Sequence, residues 1–206
     1  MLDKSLIAVI RRPLQQIALQ LITWGIRADS VTVVGFVVGL TALPLIITHH
    51  YYWALLSIFL NRLADGLDGS IARLTMPTHR GAFLDSVFDF LFYSSIPLAF
   101  AFADPAQNAL AATLLIYSFI GTGCSFLAFA VLAAKQGLTS TDYPTKGFYY
   151  LGGLTEATET ILVFVLMCLL PAWFPLLAYI FAGLCLLTTA TRIAAGLQVF
   201  NSDQTN

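Results

Sequence analysis

Residues 65–73 read Asp-Gly-Leu-Asp-Gly-Ser-Ile-Ala-Arg, and residues 81–89 read Gly-Ala-Phe-Leu-Asp-Ser-Val-Phe-Asp. Asp65, Asp68, Asp85 and Asp89 therefore interrupt two mostly apolar runs, and a run of about 20 such residues can cross a bilayer. A charged side chain at the bilayer centre costs about 3 kcal/mol or more. Acids in that position are retained for a function, so the four aspartates are the first candidates for a site.

The spacing of the aspartates predicts that they meet. Asp65 and Asp68 are three apart, and Asp85 and Asp89 are four apart, so on helices each pair lies on one face. The connection 74–80 is short, which predicts antiparallel neighbouring helices. At about 1.5 Å per residue, Asp65 and Asp89 lie at one depth and Asp68 and Asp85 at another. Two pairs are therefore expected to converge.

Four converging carboxylates cannot all stay ionised without cations. Hard divalent ions with oxygen ligands, Mg²⁺ or Mn²⁺, are the natural partners, and two such ions are expected. Two other interpretations stay open on these residues alone. The acids can line a proton or cation path, or lie outside the span to which they are assigned.

Composition places the rest of the chain in a membrane. Of 206 residues, 58% are hydrophobic and 10% charged, against about 25% charged in soluble domains. The net charge of −1 predicts no attraction to nucleic acid. We expect an all-α, polytopic protein that forms a single domain over residues 1–206.

Apolar periodicity predicts a six-helix transmembrane bundle over residues 30–197. The expected spans are 30–48, 51–73, 81–103, 108–134, 147–170 and 173–197. Residues 1–24 mix apolar and basic residues, which predicts an amphipathic helix on the membrane surface, broken near Pro13. A turn at Gly25 and a cap at Asp29-Ser30 are expected to lead into the first span. We expect no cleaved signal peptide.

The basic residues predict the orientation. The turns near 49–50, 104–107 and 171–172 contain no Lys or Arg. Nine of the ten basic residues are expected near the opposite side: Lys4, Arg11, Arg12, Arg27, Arg73, Arg80, Lys135, Lys146 and Arg192. The positive-inside rule then predicts that both termini and the acidic site are cytoplasmic.

The quoted stretch resembles the signature of the CDP-alcohol phosphotransferase family, D-x-x-D-G-x-x-A-R followed by G-x-x-x-D-x-x-x-D. Every fixed position is matched, by Asp65, Asp68, Gly69, Ala72, Arg73, Gly81, Asp85 and Asp89. Seven residues separate the two halves, where the family usually has eight, which shortens the turn. Residues 148–159 resemble a compact bacterial branch whose acceptor is unassigned.

The resemblance implies a fold, a reaction and roles for residues. Its members transfer a phosphatidyl or other substituted phosphate group from CDP-diacylglycerol, or another CDP-alcohol, to a small polar alcohol and release CMP. They are inner-membrane enzymes of phospholipid synthesis, and usually homodimers. The implied metal ligands are Asp65, Asp68, Asp85 and Asp89. The implied CDP-binding set is Asp65, Asp68, Gly69, Ala72, Arg73, Gly81 and Asp85. Asp89 is the implied general base.

Polar residues outside the motif are candidates for binding the acceptor. Glu156 and Glu159 are expected inside the fifth span, with Glu156 level with Asp89, where they bind hydroxyl or amine groups; the alternative is a structural polar pair. Lys135, Lys146 and Arg192 are expected to end three spans, as a pocket for a phosphorylated acceptor or as simple topology signals.

Three further features are expected near the acids. Arg62 precedes Asp65 by one turn, which predicts a structural ion pair with an acid of the cluster. Tyr93 and the Thr189–Thr191 region are expected to face the same cavity.

Two rival functions remain at this stage. A small cation or proton transporter predicts acids along a path to both membrane faces. A catalytically inactive family member with an assembly role predicts a degenerate motif, whereas here all four aspartates are present.

Overall fold

The computed structural model describes residues 2–136 and 155–201, with side chains from residue 12 to 136 and from 155 to 200. All regular structure in these two stretches is helical. The helices are α1 (Leu2–Thr23), α2 (Ala28–Leu40), α3 (Ala42–Ile47), α4 (Tyr51–Leu74), α5 (His79–Ala103), α6 (Pro105–Lys135), α7 (Ala157–Leu169) and α8 (Phe174–Asn201), with a 3-10 turn at Pro171–Trp173 between the last two.

Four segments are long and apolar enough to cross a membrane: Ala28–Ile47, His79–Ala103, Pro105–Lys135 and Pro171–Phe200. Helix α4 has 24 residues, which at about 1.5 Å each is also membrane length, but its charged residues keep it from being apolar throughout. Helix α7 is apolar and has 13 described residues. Four of the six expected spans are therefore apolar membrane-length helices in this structure.

Helices α4 and α5 are joined by the short connection that the motif predicts. Helix α4 ends at Leu74, and α5 begins four residues later, at His79. The hydroxyl of Thr78 accepts a hydrogen bond from the backbone N–H of Gly81 at 3.0 Å and so caps α5. A short capped turn therefore joins the two motif halves, and α2 packs closely against both helices, whereas α4 and α5 make few close backbone contacts with each other.

Glycines allow α2 to approach α4 closely. A Cβ at Gly35 would collide with the Cβ of Ala64, and one at Gly39 would lie 2.8 Å from Asn61 Nδ2. The amide of Asn61 uses the closeness, because its Nδ2 donates to the Gly35 carbonyl at 3.0 Å. Two small residues four apart are the usual means of bringing membrane helices together.

The apolar core lies beyond the aspartates along α5. Phe92, Phe100, Phe164 and Phe174 are fully buried there, and the Phe100 and Phe174 rings stack with centroids 4.4 Å apart. Dense aromatic packing at this end fixes the position of α5, and therefore of its acids, against α6, α7 and α8.

Several expected boundaries were wrong. Helix α1 runs through Pro13 without a break, although a proline in a helix interior removes one backbone hydrogen bond. The first span is divided at Thr41, because Pro44 has no N–H to donate to the preceding turn. The expected cap at Asp29-Ser30 is absent: α2 starts at Ala28, after Arg27.

Gly25 does make the expected turn, with a φ of 75°. Glycine adopts this left-handed conformation without the steric cost that a side chain brings. The chain can therefore reverse between α1 and α2 at this position.

Candidate metal and nucleotide site

Three aspartates from the two motif helices converge. One carboxylate oxygen from each of Asp65, Asp68 and Asp85 lies within 4.8 Å of the other two. Asp65 and Asp68 are one turn apart on α4, and Asp85 faces them from the first turns of α5. The predicted meeting of the two helical faces is confirmed for these three residues.

The cluster fits a divalent cation chemically. Asp68 is 5% exposed, and its Oδ2 has no hydrogen-bond partner among the residues that the structure describes. A buried carboxylate oxygen without a partner is costly, and a cation on this oxygen would remove the cost. The donors are all carboxylate oxygens, which Mg²⁺ and Mn²⁺ accept.

Asp89 lies at the same pocket but has a different partner. Its Oδ1 accepts a hydrogen bond of 2.8 Å from Arg62 Nη2, and Asp89 is not one of the three acids within 4.8 Å of one another. Arg62 Nη1 also lies 3.6 Å from Asp65 Oδ2. The expected ion pair between Arg62 and the acids is therefore present.

A small open cleft lies among these groups. Its lining comes from three helices: Thr32, Gly35 and Phe36 of α2; Asn61, Arg62, Asp65 and Asp68 of α4; Asp85, Phe88 and Asp89 of α5. The Phe36 and Phe88 rings stack at 4.2 Å between centroids and 7° between planes. Helix α2 is thus a wall of the site.

The contribution of α2 was missed by sequence reasoning. A usable signal was present in Gly35-Phe-Val-Val-Gly39, a G-x-x-x-G pattern in an apolar helix, which predicts close helix packing. Applied to this chain, the pattern would have placed α2 against a motif helix. It would not have identified Asn61 as the contact.

The motif glycines each have a side chain above them. A Cβ at Gly69 would lie 3.2 Å from Arg73 Nη1, and one at Gly81 would lie 3.2 Å from Asp29 Oδ1. Asp29 also pairs with the exposed Arg80 at 3.3 Å. These covering groups are the ends of flexible side chains, so a ligand can displace them without moving the helices.

The structure corrects the placement of the glutamates. Glu156 is the N-cap of α7, in an extended conformation, and is not inside a helix; Glu156 and Glu159 form a capping box. The Glu159 side chain accepts the Glu156 N–H at 3.1 Å. The prediction that Glu156 lies within a spanning helix is therefore wrong, because the helix containing Glu159 starts only at Ala157.

The other acceptor candidates lie apart from the cavity. Lys135 is exposed at the end of α6, and Arg192 is 8% exposed and donates to the Thr122 carbonyl at 3.1 Å. Lys146, like residues 147–154 of the expected fifth span, lies outside the described residues. None of the described candidates lines the cavity.

Of the residues expected to face the cavity, Tyr93 contacts its wall and Thr189 does not. The Tyr93 hydroxyl accepts from Arg62 at 3.0 Å. Thr189 donates to the Cys185 carbonyl and lies against Gly121, where an added Cβ would be 3.1 Å from its Oγ1. Thr191 donates to the Thr188 carbonyl at 2.9 Å.

Known proteins resemble this chain in the region that carries the site. The family model described as CDP-alcohol phosphatidyltransferase matches residues 26–191, which include α2 and both motif helices. The chain belongs to the CDP-alcohol phosphatidyltransferase family. It is therefore a phosphatidyl-transferring membrane enzyme of phospholipid biosynthesis, and the transporter and assembly interpretations are set aside.

Two curated relatives and one solved structure illustrate the likeness. Inner membrane protein YnjF of Escherichia coli (strain K12) is 52% identical over 204 residues, which is 99% of each chain. Phosphatidylcholine synthase of Mesorhizobium japonicum is 29% identical over 66% of this chain and 47% of its own. Mycobacterium tuberculosis phosphatidylinositol phosphate synthase, solved with CDP-DAG bound, has a TM-score of 0.73 at 18% identity over 90% of this chain and 94% of its own.

The same mycobacterial synthase was also solved with manganese and citrate, and that structure gives a TM-score of 0.71 at 20% identity, over 89% of this chain and 88% of its own. At these identities the two solved structures establish a common fold.

Proposed function

We propose that this enzyme transfers the phosphatidyl group of CDP-diacylglycerol to a small polar alcohol and releases CMP, with two Mg²⁺ or Mn²⁺ ions in the site. The observation that carries the proposal is the convergence of Asp65, Asp68 and Asp85, whose oxygens lie within 4.8 Å of one another. A similar fold has been solved with CDP-DAG and with manganese, which supports both parts of the proposal.

The site residues have separate roles in metal binding, nucleotide binding and catalysis. Asp65, Asp68 and Asp85 hold the metal ions, which when bound neutralise the pyrophosphate and the departing CMP. Asp89 is the fourth acid of the metal site and the base. Gly69, Ala72 and Gly81 let the nucleotide approach the helices, and Arg73, folded over Gly69, turns outward to pair with phosphate.

The proposed reaction exchanges one P–O bond for another. The acceptor oxygen bonds to the phosphatidyl phosphorus, and the bond from that phosphorus to the CMP oxygen breaks. Asp89 takes the hydroxyl proton, and CMP departs with the electron pair of the broken bond. Positioning and charge neutralisation dominate this chemistry, which fits a site made of acids and one arginine.

We also propose the membrane arrangement. One domain, residues 1–206, crosses a bacterial inner membrane six times, with α1 lying on the cytoplasmic surface and both termini and the site on the cytoplasmic side. The turns at 48–50, 104 and 170–173 contain no Lys or Arg, which supports this orientation. A homodimer is proposed from the family resemblance.

The acceptor-binding roles of Glu156, Glu159, Lys135, Lys146 and Arg192 stay predictions. The capping box gives Glu156 and Glu159 a structural role. A residue in such a cap can still present a carboxylate oxygen to a ligand. Lys135 and Arg192 carry the charge that a phosphorylated acceptor needs.

The test is an assay of the purified full chain in lipid nanodiscs. CDP-diacylglycerol is supplied with Mn²⁺ or Mg²⁺ and, separately, with glycerol 3-phosphate, inositol 1-phosphate, serine, choline or glycerol. CMP release and the mass of the lipid product are measured. We expect metal-dependent release of CMP with at least one acceptor and a product heavier than phosphatidic acid by that acceptor less water.

Asp85→Asn supplies the negative control, and Asp104→Asn supplies the matched one. Asp104 caps α6 by accepting from the Gln107 N–H, and asparagine caps equally well, so this variant should retain wild-type turnover. CMP release that persists after chelation of divalent metals, or at full rate in Asp85→Asn, would contradict the proposal.

A further inference from the structure

Arg62 is a buried cation beside the acids of the site. It lies inside α4, three residues before the first aspartate of the family signature, which does not include it. Only 17% of its side chain is exposed. A guanidinium in an apolar helix bundle is costly unless its partners compensate the cost. Its partners therefore indicate why this chain keeps a positive charge at this depth.

The four carboxylates of the cleft repel one another. Oxygens of Asp65, Asp68 and Asp85 lie within 4.8 Å of one another, and Asp89 lines the same cleft. Asp68 is 5% exposed, so water reduces the repulsion at this acid only weakly. Acids this close cannot all stay ionised without a cation among them. The folded protein therefore needs positive charge at this position.

Arg62 supplies such a charge to both motif helices. It donates from Nη2 to Asp89 Oδ1 of α5 at 2.8 Å, a short charge-assisted bond. Its Nη1 lies 3.6 Å from Asp65 Oδ2 of α4. Helices α4 and α5 make few close backbone contacts with each other. The ion pair with Asp89 is thus a direct link between them across the cleft.

The fold itself fixes the guanidinium. Asn61 Oδ1 accepts from Arg62 Nε at 2.9 Å and from Nη2 at 2.7 Å, and Asn61 Nδ2 donates to the Gly35 carbonyl of α2. The Tyr93 hydroxyl accepts from Nη1 at 3.0 Å. The guanidinium carbon lies 5.0 Å from the Phe92 ring centroid and 5.2 Å from that of Tyr93, within cation–π range. All these partners belong to the chain.

We propose that Arg62 is a built-in counter-cation, which stabilises the acid cluster before divalent ions bind and so allows the bundle to fold without them. The inference rests on the proposed function, which assigns all four aspartates, Asp89 included, to the metal site. Divalent ions, when bound, compensate the same acids more strongly, because each ion carries two charges. Arg62 therefore contributes most to the stability of the metal-free protein.

The stability that Arg62 provides is linked to the affinity for metal. An ion that binds only the folded protein stabilises it, whereas a positive charge beside the cluster weakens the binding of that ion. Arg62 and the divalent ions thus oppose each other at the same carboxylates. Removal of Arg62 should lower the stability of the metal-free protein and, by the reciprocity of linked equilibria, tighten the binding of Mn²⁺.

The test measures thermal stability and Mn²⁺ affinity in the full chain, without donor or acceptor. Unfolding midpoints are recorded by circular dichroism in detergent micelles, once with EDTA and once with saturating Mn²⁺. Relative to wild type, Arg62→Met should unfold about 10 °C lower in EDTA, the size expected when a buried ion pair is broken. In Mn²⁺ the difference should shrink to about 3 °C or less. Electron paramagnetic resonance should show that Arg62→Met binds Mn²⁺ about 10-fold tighter.

Three further variants separate charge from packing. Arg62→Lys keeps the charge, so its midpoint in EDTA should fall by about 5 °C or less. Arg62→Met/Asp89→Asn removes the charge and its nearest acid together, so its midpoint in EDTA should recover by about half or more of the loss. Arg80→Met is the matched control, since Arg80 also pairs with an aspartate, at 3.3 Å, but is exposed and does not line the cleft. Its midpoint should change by about 2 °C or less, equally in EDTA and in Mn²⁺.

An equal fall of the Arg62→Met midpoint in EDTA and in Mn²⁺, or an unchanged Mn²⁺ affinity, would overturn the inference, because Arg62 would then only pack against its neighbours. A wild-type midpoint in EDTA would overturn it as well. If Arg62→Met cannot be recovered folded in EDTA, Arg62→Met/Asp89→Asn decides, and its failure to fold there would also overturn the inference. Wild-type protein that binds Mn²⁺ but releases no CMP with any acceptor contradicts the proposed reaction instead, and the stability measurements still test the role of Arg62.

Discussion

Two pairs of acids in this chain have the same spacing and opposite surroundings. Asp65 and Asp68 are three apart in the interior of α4 and face an acid of α5. Glu156 and Glu159 are also three apart, but they lie at the start of α7 and close on each other's backbone. In the first pair the helix backbone is already satisfied, so the carboxylates face another element. In the second pair, backbone N–H groups at the helix start, which have no partner within the helix, donate hydrogen bonds to the carboxylates.

Spacing alone therefore does not define a site. In a helix interior, two acids three residues apart lie on one helical face. At the start of a helix, the same spacing can form a capping box. The residue at which the helix starts decides between the two. Backbone hydrogen bonding determines that residue, and the acids themselves do not.

The largest effect is expected from Asp85→Asn. Asparagine keeps the shape and removes the charge, so the cluster loses one of three anionic ligands and metal binding weakens. We expect kcat to fall about 1,000-fold or more, with Mn²⁺ binding in the substrate-free protein weakened about 10-fold or more. A loss of the same size in Glu159→Gln would contradict this assignment, because the two acid pairs would then share one function.

Gly35→Ala should produce the next largest effect. The added Cβ meets that of Ala64, and overpacking of this kind costs about 1–3 kcal/mol. Helix α2 must move from α4, which shifts Thr32 and Phe36 in the cavity wall. We expect a lower thermal unfolding midpoint and a reduced kcat.

Gly183→Ala is the matched control, since an added Cβ there meets nothing within 4 Å. Alanine in a helix interior should be neutral or stabilising, by about 0.5–1 kcal/mol. A Gly35→Ala protein as stable and active as Gly183→Ala would contradict the close packing of α2 on α4.

The motif helices could be predicted from sequence because several signals agreed there. Apolar periodicity, acid spacing and a short connection all indicated a helical hairpin with acids facing inward, and Asp65, Asp68 and Asp85 do meet. Asp89 was also correctly placed at the pocket. Its partner Arg62 was predicted as an ion pair, but the choice among the acids depends on Asn61 and Tyr93, which no local pattern connects.

Other features needed tertiary information. The wall from α2 depends on which helix Gly35 and Gly39 pack against, and a G-x-x-x-G pattern does not name its partner. The start of α7 was misplaced because residues 147–170 are apolar enough to be taken as one helix. Gly152-Gly153 and Thr155 precede the glutamates, and such residues are signals of a boundary before a helix.

Substitutions at Glu159 should have a moderate effect that distinguishes capping from acceptor binding. Glutamine still accepts the Glu156 N–H and preserves the capping box, whereas alanine does not. Capping alone predicts that Glu159→Ala lowers the free energy of unfolding by about 1 kcal/mol, and that Glu159→Gln changes neither stability nor KM. A raised acceptor KM in Glu159→Gln, at unchanged stability, would instead assign the carboxylate to the acceptor.

The smallest effect is expected from Lys135→Gln. Lys135 is exposed at the end of α6, so its attraction for an anion is weakened by water and salt, and is worth about 0.2–1 kcal/mol. If it serves a phosphorylated acceptor, the KM for glycerol 3-phosphate should rise about 3-fold and the KM for glycerol should not change. The increase should shrink at high ionic strength, because the screening length for exposed charges falls from about 10 Å at 0.1 M salt to about 3 Å at 1 M. An equal change for both acceptors would mean that Lys135 acts on the enzyme as a whole, since only an effect confined to the charged acceptor identifies contact with its phosphate.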